Sequence, residues 1–241
     1  MSEWKVKRFW NSAQAVATET GFAVQLDGRP VRTPAKALLE VPTEALAQAA
    51  AAEWDAQTEA VNPETMPITC AVNAAIDKVS AQQAEVAEML AAYGDTDLTC
   101  YRAAQPKELV DRQMAAWDPL LDWAADRYGA RLIPVEGVIH QPQSAPALAR
   151  LAAPLAAMTA FELTAMHDLV CLSGSLVIGL AAYDGAMPVD DLWSRSRIDE
   201  DWQVQQWGED EEAAAQAALK RDAFLAAARF LMLTQGPAVA E

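Results

Sequence analysis

Twelve consecutive residues, Leu169-Val170-Cys171-Leu172-Ser173-Gly174-Ser175-Leu176-Val177-Ile178-Gly179-Leu180, carry no charged side chain. A helix that is apolar or small all the way round has no side to turn to water, so it must be buried on every face. The pattern predicts a single helix, opened by the capping box of Thr159 and Glu162 and running toward Tyr183, at the centre of a helical domain. Ser175 and Gly179, four residues apart, offer a flat strip for close packing by a neighbouring helix. The apolar run is also shorter than the roughly 20 residues that cross a bilayer, so no membrane insertion is expected.

The chain supplies the neighbours such a helix needs. Thr43 is placed to cap a helix with apolar positions Leu46, Ala50, Trp54, Gln57 and Val61, which Asn62-Pro63 stops. Ile68, Val72, Ile76 and Val79 form a second stripe. Ser80 is read as the cap of a third helix reaching Tyr93, with Gly94 beyond its end. Pro106 opens a long pattern through Val110, Met114, Trp117, Leu121, Ala124 and Tyr128, and Pro119 inside it predicts a kink or break. A helix from Pro188 to about Gly208 and an alanine-rich one from Glu209 to about Leu233 follow, with a frayed tail from Gln235 to Glu241.

The first forty residues follow another pattern. Gly21 to Leu26 and Arg29 to Pro34 are extended runs joined by Asp27-Gly28, the strongest short-range hairpin signal. Leu38 to Val41 reads as a further strand, closed by Pro42. The fold expected is α+β: a small N-terminal β-rich α+β domain over residues 1–65, then a larger all-helical domain over residues 66–241. The run Ala130 to Val138 is β-like and is read either as returning to the N-terminal sheet or as a link between helices.

Charge and motifs narrow the function. Eighteen Lys and Arg against 34 Asp and Glu leave a net charge of −16, which repels nucleic acid and anionic membranes. Three widely spaced cysteines, Cys70, Cys100 and Cys171, read as free thiols in a reducing compartment, and MSEWKVKRFW lacks the apolar run of a signal peptide, so a bacterial cytoplasmic location is expected. There is no Gly-rich phosphate loop, Gly-x-Ser-x-Gly elbow or His-Glu-x-x-His helix. Of the two histidines, His140 and His167, the second sits beside Asp168, where directions diverging by about 100° argue against an orienting hydrogen bond. His167 and Cys171 share a helical face, but paired metal-ligand spacings are missing, so neither metal nor cofactor is expected. Asp95/Asp97 and Asp199/Glu200/Asp201 leave one enzymatic alternative, a carboxylate-based hydrolase working in an inter-domain cleft.

Aromatic and acidic residues stand out instead. Four of the eight tryptophans lie in polar sequence, at Glu53-Trp54-Asp55, Trp117-Asp118, Asp201-Trp202-Gln203 and Gln206-Trp207-Gly208-Glu209. Such residues suit either core anchoring or a protein-binding face. From Asp199 to Glu212 there are seven acids and no Lys or Arg. Asp199, Glu200 and Asp201 are read as late in their helix, where the dipole disfavours them, and this cost to folding marks them for recognition.

Several blocks together resemble a known family. Arg8-Phe9-Trp10, Leu26 to Pro34, Glu53 to Gln57, Asp95 to Leu98 with Cys100-Tyr101-Arg102, Trp117 to Trp123, and Ser196 to Glu200 followed by Trp202-Gln203 and Trp207-Gly208 are similar to the assembly chaperones of the F-type ATP synthase. The member resembled holds the unassembled alpha subunit. The resemblance runs in order from about Arg8 to Leu233. It implies a non-enzymatic, monomeric protein without cofactor whose partner is the free alpha subunit, shielded before it pairs with beta; the eukaryotic relatives would sit in the mitochondrial matrix. The partner-binding candidates are Asp199, Glu200, Trp202, Gln205, Trp207 and Glu209. One departure is plain. Where the family commonly has Thr-Arg-Leu-Ala-Asn, this chain has Thr69-Cys70-Ala71-Val72-Asn73, so that arginine's role is not carried over.

Overall fold

The computed structural model describes residues 7–236. The expectations for the first six residues and for the tail beyond Gly236 lie outside this range. Among the described residues no helix is long and apolar enough to cross a membrane. The architecture is α+β and divides into two units, residues 7–83, 159–165 and 229–236 in one and 84–158 and 166–228 in the other.

The first unit is built on a small antiparallel sheet. Strands β1 (Ala13–Ala17), β2 (Phe22–Leu26) and β3 (Arg29–Pro30) lie in that order, and β4 (Glu40–Val41) pairs with β2. Asp27 and Gly28 both take positive φ, 47° and 78°, which lets a two-residue turn match the strand twist. The Asp27 carboxylate accepts the backbone N–H groups of Asn11 and Ser12, and these bonds hold it below the usual carboxylate range. Strand β1 was not legible as a strand, because Ala-Gln-Ala-Val-Ala has no β-favouring bulk.

Helix α1 (Glu44–Asp55) packs on β1 and β2, burying Leu46, Ala47, Ala50 and Ala51. Thr43 is its cap: the hydroxyl accepts from the Leu46 N–H at 3.2 Å and donates to the Leu233 carbonyl at 2.5 Å. The helix ends at Asp55, before the expected Asn62-Pro63 stop. Gln57 continues inward, its amide accepting from the Asn62 N–H at 2.7 Å. Helix α2 (Pro67–Asp77) receives a cap from outside itself, since the Glu53 carboxylate accepts the Ile68 and Thr69 N–H groups at 2.8 and 2.7 Å. That link draws residues 66–83 into the first unit, where the sequence reading ended the N-terminal domain at residue 65. Trp54 is half-buried and meets Trp10 edge to face at 5.3 Å.

In the second unit, α3 (Gln83–Ala92) begins later than expected. Ser80 does not cap it; its hydroxyl donates back to the Ile76 carbonyl. Strand β5 (Tyr101–Arg102) pairs in parallel with β6 (Val135–Glu136). The β-like run near 135 therefore does not return to the N-terminal sheet; it links two successive helices and on the way pairs with a local partner two residues long. Helix α4 (Lys107–Tyr128) passes through Pro119 without interruption and closes on left-handed Gly129. Helix α5 (Ala145–Ala157), which contains Pro146 and Pro154, was not anticipated.

The central apolar run divides into two helices. Thr159 and Glu162 form the capping box at the start of α6 (Ala160–Ser173), with Thr159 N–H and hydroxyl each 2.8 Å from Glu162. Gly174 then turns left-handed at φ 71°, and Ser175 caps α7 (Leu176–Tyr183) by accepting from the Ile178 N–H at 3.0 Å. Leu176 to Ala181 are all buried, so the expected burial holds on α7. A methyl group on Gly179 would lie 2.6 Å from a Val170 methyl, which explains the glycine: α6 and α7 meet there. Ser175 is spent on the cap. The chain continues as α8 (Val189–Arg195), α9 (Ile198–Trp207) and α10 (Glu211–Gln235), so the helix expected between Pro188 and Gly208 breaks at Ser196-Arg197.

Candidate partner-binding face

The break at Ser196-Arg197 reverses the reading of the acids. Asp199, Glu200 and Asp201 occupy the first turn of α9, where the exposed N–H groups favour negative charge by about 0.3–1 kcal/mol each, and not the last turn of a longer helix. The helix dipole thus favours these acids, and their position no longer marks them for recognition.

Inward bonds set how α9 lies. Gln113, buried on α4, accepts the Ala103 N–H at 2.8 Å and donates to the Asp199 carboxylate at 2.6 Å. Asp199 is therefore occupied as an anchor. Arg112 reaches out from α4, donating to the Gln205 amide oxygen at 2.6 Å while its guanidinium lies 4.8 Å over the Trp202 ring. Arg197 pairs with Glu200 at 3.0 Å and stacks 5.0 Å over Trp193.

What α9 leaves outward is aromatic and acidic. Trp207 is 79% exposed, Val204 46%, and Glu200, Asp201 and Glu209 face solvent. A groove of about 660 Å³ runs on one side, lined among others by Leu109, Val138, Asp199, Trp202 and Trp207. Another, of about 690 Å³, runs on the other side toward α10, with Glu200, Val204, Trp207 and Glu209 on its walls. Trp207 and Gln203 border both, so the helix forms a ridge between two troughs. Val138 and Ile139, both strongly exposed beside β6, extend the apolar surface. The sequence reading missed them because a lone Val-Ile pair in a loop carries no periodic signal.

Of the six candidate residues, Trp202, Trp207, Glu200 and Glu209 therefore reach a groove, Asp199 reaches one while tied to Gln113, and Gln205 is engaged with Arg112. Asp95 and Asp97 are both engaged inside the fold. Asp97 is fully buried, with Oδ1 accepting from Ser175 Oγ, Thr99 N–H and Thr99 Oγ1 at 2.7, 3.0 and 2.7 Å and Oδ2 from the Val177 N–H at 2.9 Å. Burial pushes its carboxyl up, against the pull of those four bonds toward the anion. Asp95 accepts the Gln143 N–H at 2.7 Å and lies 3.3 Å from His140.

The last three of the blocks that carry the family resemblance, those beginning at Asp95, Trp117 and Ser196, converge on this same support. Arg102 donates to the Thr99 carbonyl at 3.1 Å, pairs with Asp118 at 2.8 Å and lies 5.3 Å over the Trp117 ring. Trp117 in turn donates to the Arg195 carbonyl at 2.7 Å, just before the break that starts α9. Asp97, Arg102, Trp117, Asp118 and Asp199 thus act as a frame holding a ridge.

An outward aromatic ridge with an acidic rim is the kind of surface through which proteins bind other proteins. Comparison with known proteins gives the family. The family model for the ATP12 chaperone protein matches residues 7–125. The crystal structure of Atp12 from Paracoccus denitrificans superimposes with a TM-score of 0.93 at 49% identity, covering 96% of this chain and 100% of that one. The Agrobacterium tumefaciens protein Atu1473 is 43% identical with a TM-score of 0.89, over 93% of this chain and 85% of that chain. The mitochondrial protein atp12 of Schizosaccharomyces pombe is 25% identical over 220 residues, 86% of this chain and 75% of its own length. The chain belongs to the ATP12 chaperone family.

Proposed function

We propose that this protein is an assembly chaperone of the F-type ATP synthase that captures the free alpha subunit in the cytoplasm of a bacterium, with α9 and its two grooves as the capture face. It acts as a monomer, by stoichiometric binding and without a cofactor or a turnover step. The observation that carries the reading is Trp207, exposed on a ridge between two grooves in a chain of this family. A subunit awaiting its partner exposes apolar surface with a polar rim, and a temporary cap needs aromatic anchors with charge around them. Trp207, Trp202, Val204 and Val138 supply the first; Glu200, Asp201 and Glu209 supply the second.

Glu200→Lys tests this face. It removes a half-exposed i,i+3 pair with Arg197, of a kind worth about 0.3–0.5 kcal/mol, and sets a cation in a first helical turn that favours an anion by about 0.3–1 kcal/mol, so stability should fall by about 1–2 kcal/mol with the protein still folded. Capture of free alpha subunit in a pull-down should fall about tenfold, because a cation replaces an anion on a rim that meets a basic or N–H-rich surface. A folded variant that captures normally would remove the acidic rim of α9 from the binding face, and an unfolded one would make Glu200 a structural partner of Arg197.

A further inference from the structure

The second unit also brings together four side chains with nucleophilic or proton-transfer chemistry that the capture face does not use. Helix α6 presents His167 and Cys171 four residues apart on one face. Contrary to the sequence expectation, the His167 ring does meet its neighbour. Its Nδ1 is 2.9 Å from Asp168 Oδ1, because both side chains are about half exposed and free to swing back over their shared turn. The same imidazole stands one helical turn before the Cys171 sulfur, where its charge acts on the thiol. From the turn that follows α3, the Tyr93 hydroxyl donates to Cys171 Sγ at 3.5 Å. The sulfur thus accepts a bond from a phenol and lies one turn from an imidazole that a carboxylate contacts, at a site partly open to solvent.

We propose that Cys171 is an activated, modifiable thiol, at which a hydroperoxide or another soft electrophile reacts with a thiolate flanked by the His167 ring and the Tyr93 hydroxyl. A hydroxyl that donates to sulfur and a basic ring one turn away both favour the anion over the thiol, and the anion is the nucleophile. The titratable groups that act on the sulfur are His167, Tyr93 and Asp168. The first two draw the thiol below its ordinary range against burial and the Asp168 charge, and Asp168 with Cys171 holds the imidazole up at about 10. With a hydroperoxide, the thiolate attacks the terminal oxygen, the O–O bond breaks and an S–O bond forms. The leaving alkoxide or hydroxide takes the imidazolium proton and departs as alcohol or water. Sulfur loses two electrons to the peroxide and becomes a sulfenic acid, which thiols reduce.

The other two cysteines are internal controls. Cys100 is 1% exposed, and burial with the nearby Asp97 pushes its thiol to about 12. Cys70 lies at the surface, but partial desolvation and the Glu53 carboxylate push its thiol up. Exposure alone therefore ranks Cys70 first, whereas activation ranks Cys171 first.

The experiment is limiting iodoacetamide on the intact protein from pH 6 to 9, with alkylation at each cysteine read by peptide mass spectrometry. At pH 7 Cys171 should react about tenfold faster than Cys70, with an inflection below the ordinary thiol value of about 8.5. His167→Ala should slow Cys171 about tenfold and move its inflection upward, and Tyr93→Phe should do so to a lesser degree. Dilute hydrogen peroxide with dimedone should label Cys171 and leave Cys70 and Cys100 unlabelled. Cys171 reacting no faster than Cys70, an inflection at or above the ordinary value, or a folded His167→Ala protein with the wild-type profile would overturn the proposal. The wild-type pH profile decides it even if a variant fails to fold.

Discussion

Asp97→Ala is expected to lower stability by about 3–5 kcal/mol, read as a fall in the urea midpoint of the second unit's unfolding. The carboxylate is fully buried and satisfies four donors at once. Two of them, the Thr99 N–H and hydroxyl, belong to the turn before β5. The others, the Ser175 hydroxyl and the Val177 N–H, start α7. Removing the acceptor leaves these donors without water to replace it, and each buried orphan costs about 1–3 kcal/mol, with partial relaxation keeping the total below the sum. The charge also faces the N-terminus of α7, so a favourable helix-dipole interaction disappears with it. Asp97→Asn keeps the shape but turns an NH2 group toward donors, and should cost about 2 kcal/mol. An unchanged midpoint for Asp97→Ala would show that α7 is held by packing alone.

Trp117→Ala is expected to cost a similar amount, about 3–5 kcal/mol, as a loss of melting temperature. The ring is fully buried on α4, carries the Arg102 guanidinium on its face and ties the Arg195 carbonyl through its indole N–H. Deletion opens a cavity, unpairs a carbonyl beside the α8–α9 break and leaves Arg102 with a looser seat next to Asp118. Trp117→Phe restores most of the volume and not the N–H, so it should recover part of the loss. If Trp117→Ala melted like the wild type, the frame beneath α9 would not depend on this ring.

These two residues also show what a sequence can disclose. Local chemistry was readable where the residues that act are neighbours in the chain: the Asp27-Gly28 turn, the Thr43 cap and the Thr159/Glu162 box all lie where their spacing places them. The breaks at Gly174 and at Ser196-Arg197 were not, although Ser173-Gly174-Ser175 contains a glycine and a capping residue. What ends α6 there is Asp97, 78 residues away, which claims the Ser175 hydroxyl and the Val177 N–H and so fixes a new helix start. Strand β1 and helix α5 were missed because alanine-rich segments have weak periodicity and because prolines near a helix start or within it obscure the pattern.

The candidate site was legible in part, for a related reason. Tryptophan beside acids points to α9, yet Asp199 to Asp201 stand at the start of that helix and not near the end of a longer one. Asp199 turns out to anchor the helix through Gln113, while Trp207 is the residue left outward. The His167–Asp168 contact was excluded on Cβ directions alone, which bind short side chains more tightly than an exposed imidazole.

Central to the account is capture of the free alpha subunit by a surface centred on Trp207. The direct measurement is co-expression of the alpha subunit without beta, with and without this protein, followed by affinity purification of this protein. The account predicts that alpha stays soluble only in its presence and co-purifies one to one without added nucleotide, and that Trp207→Ser abolishes both effects at an unchanged melting temperature. Alpha equally soluble in both cultures, or absent from the purified material, would contradict it.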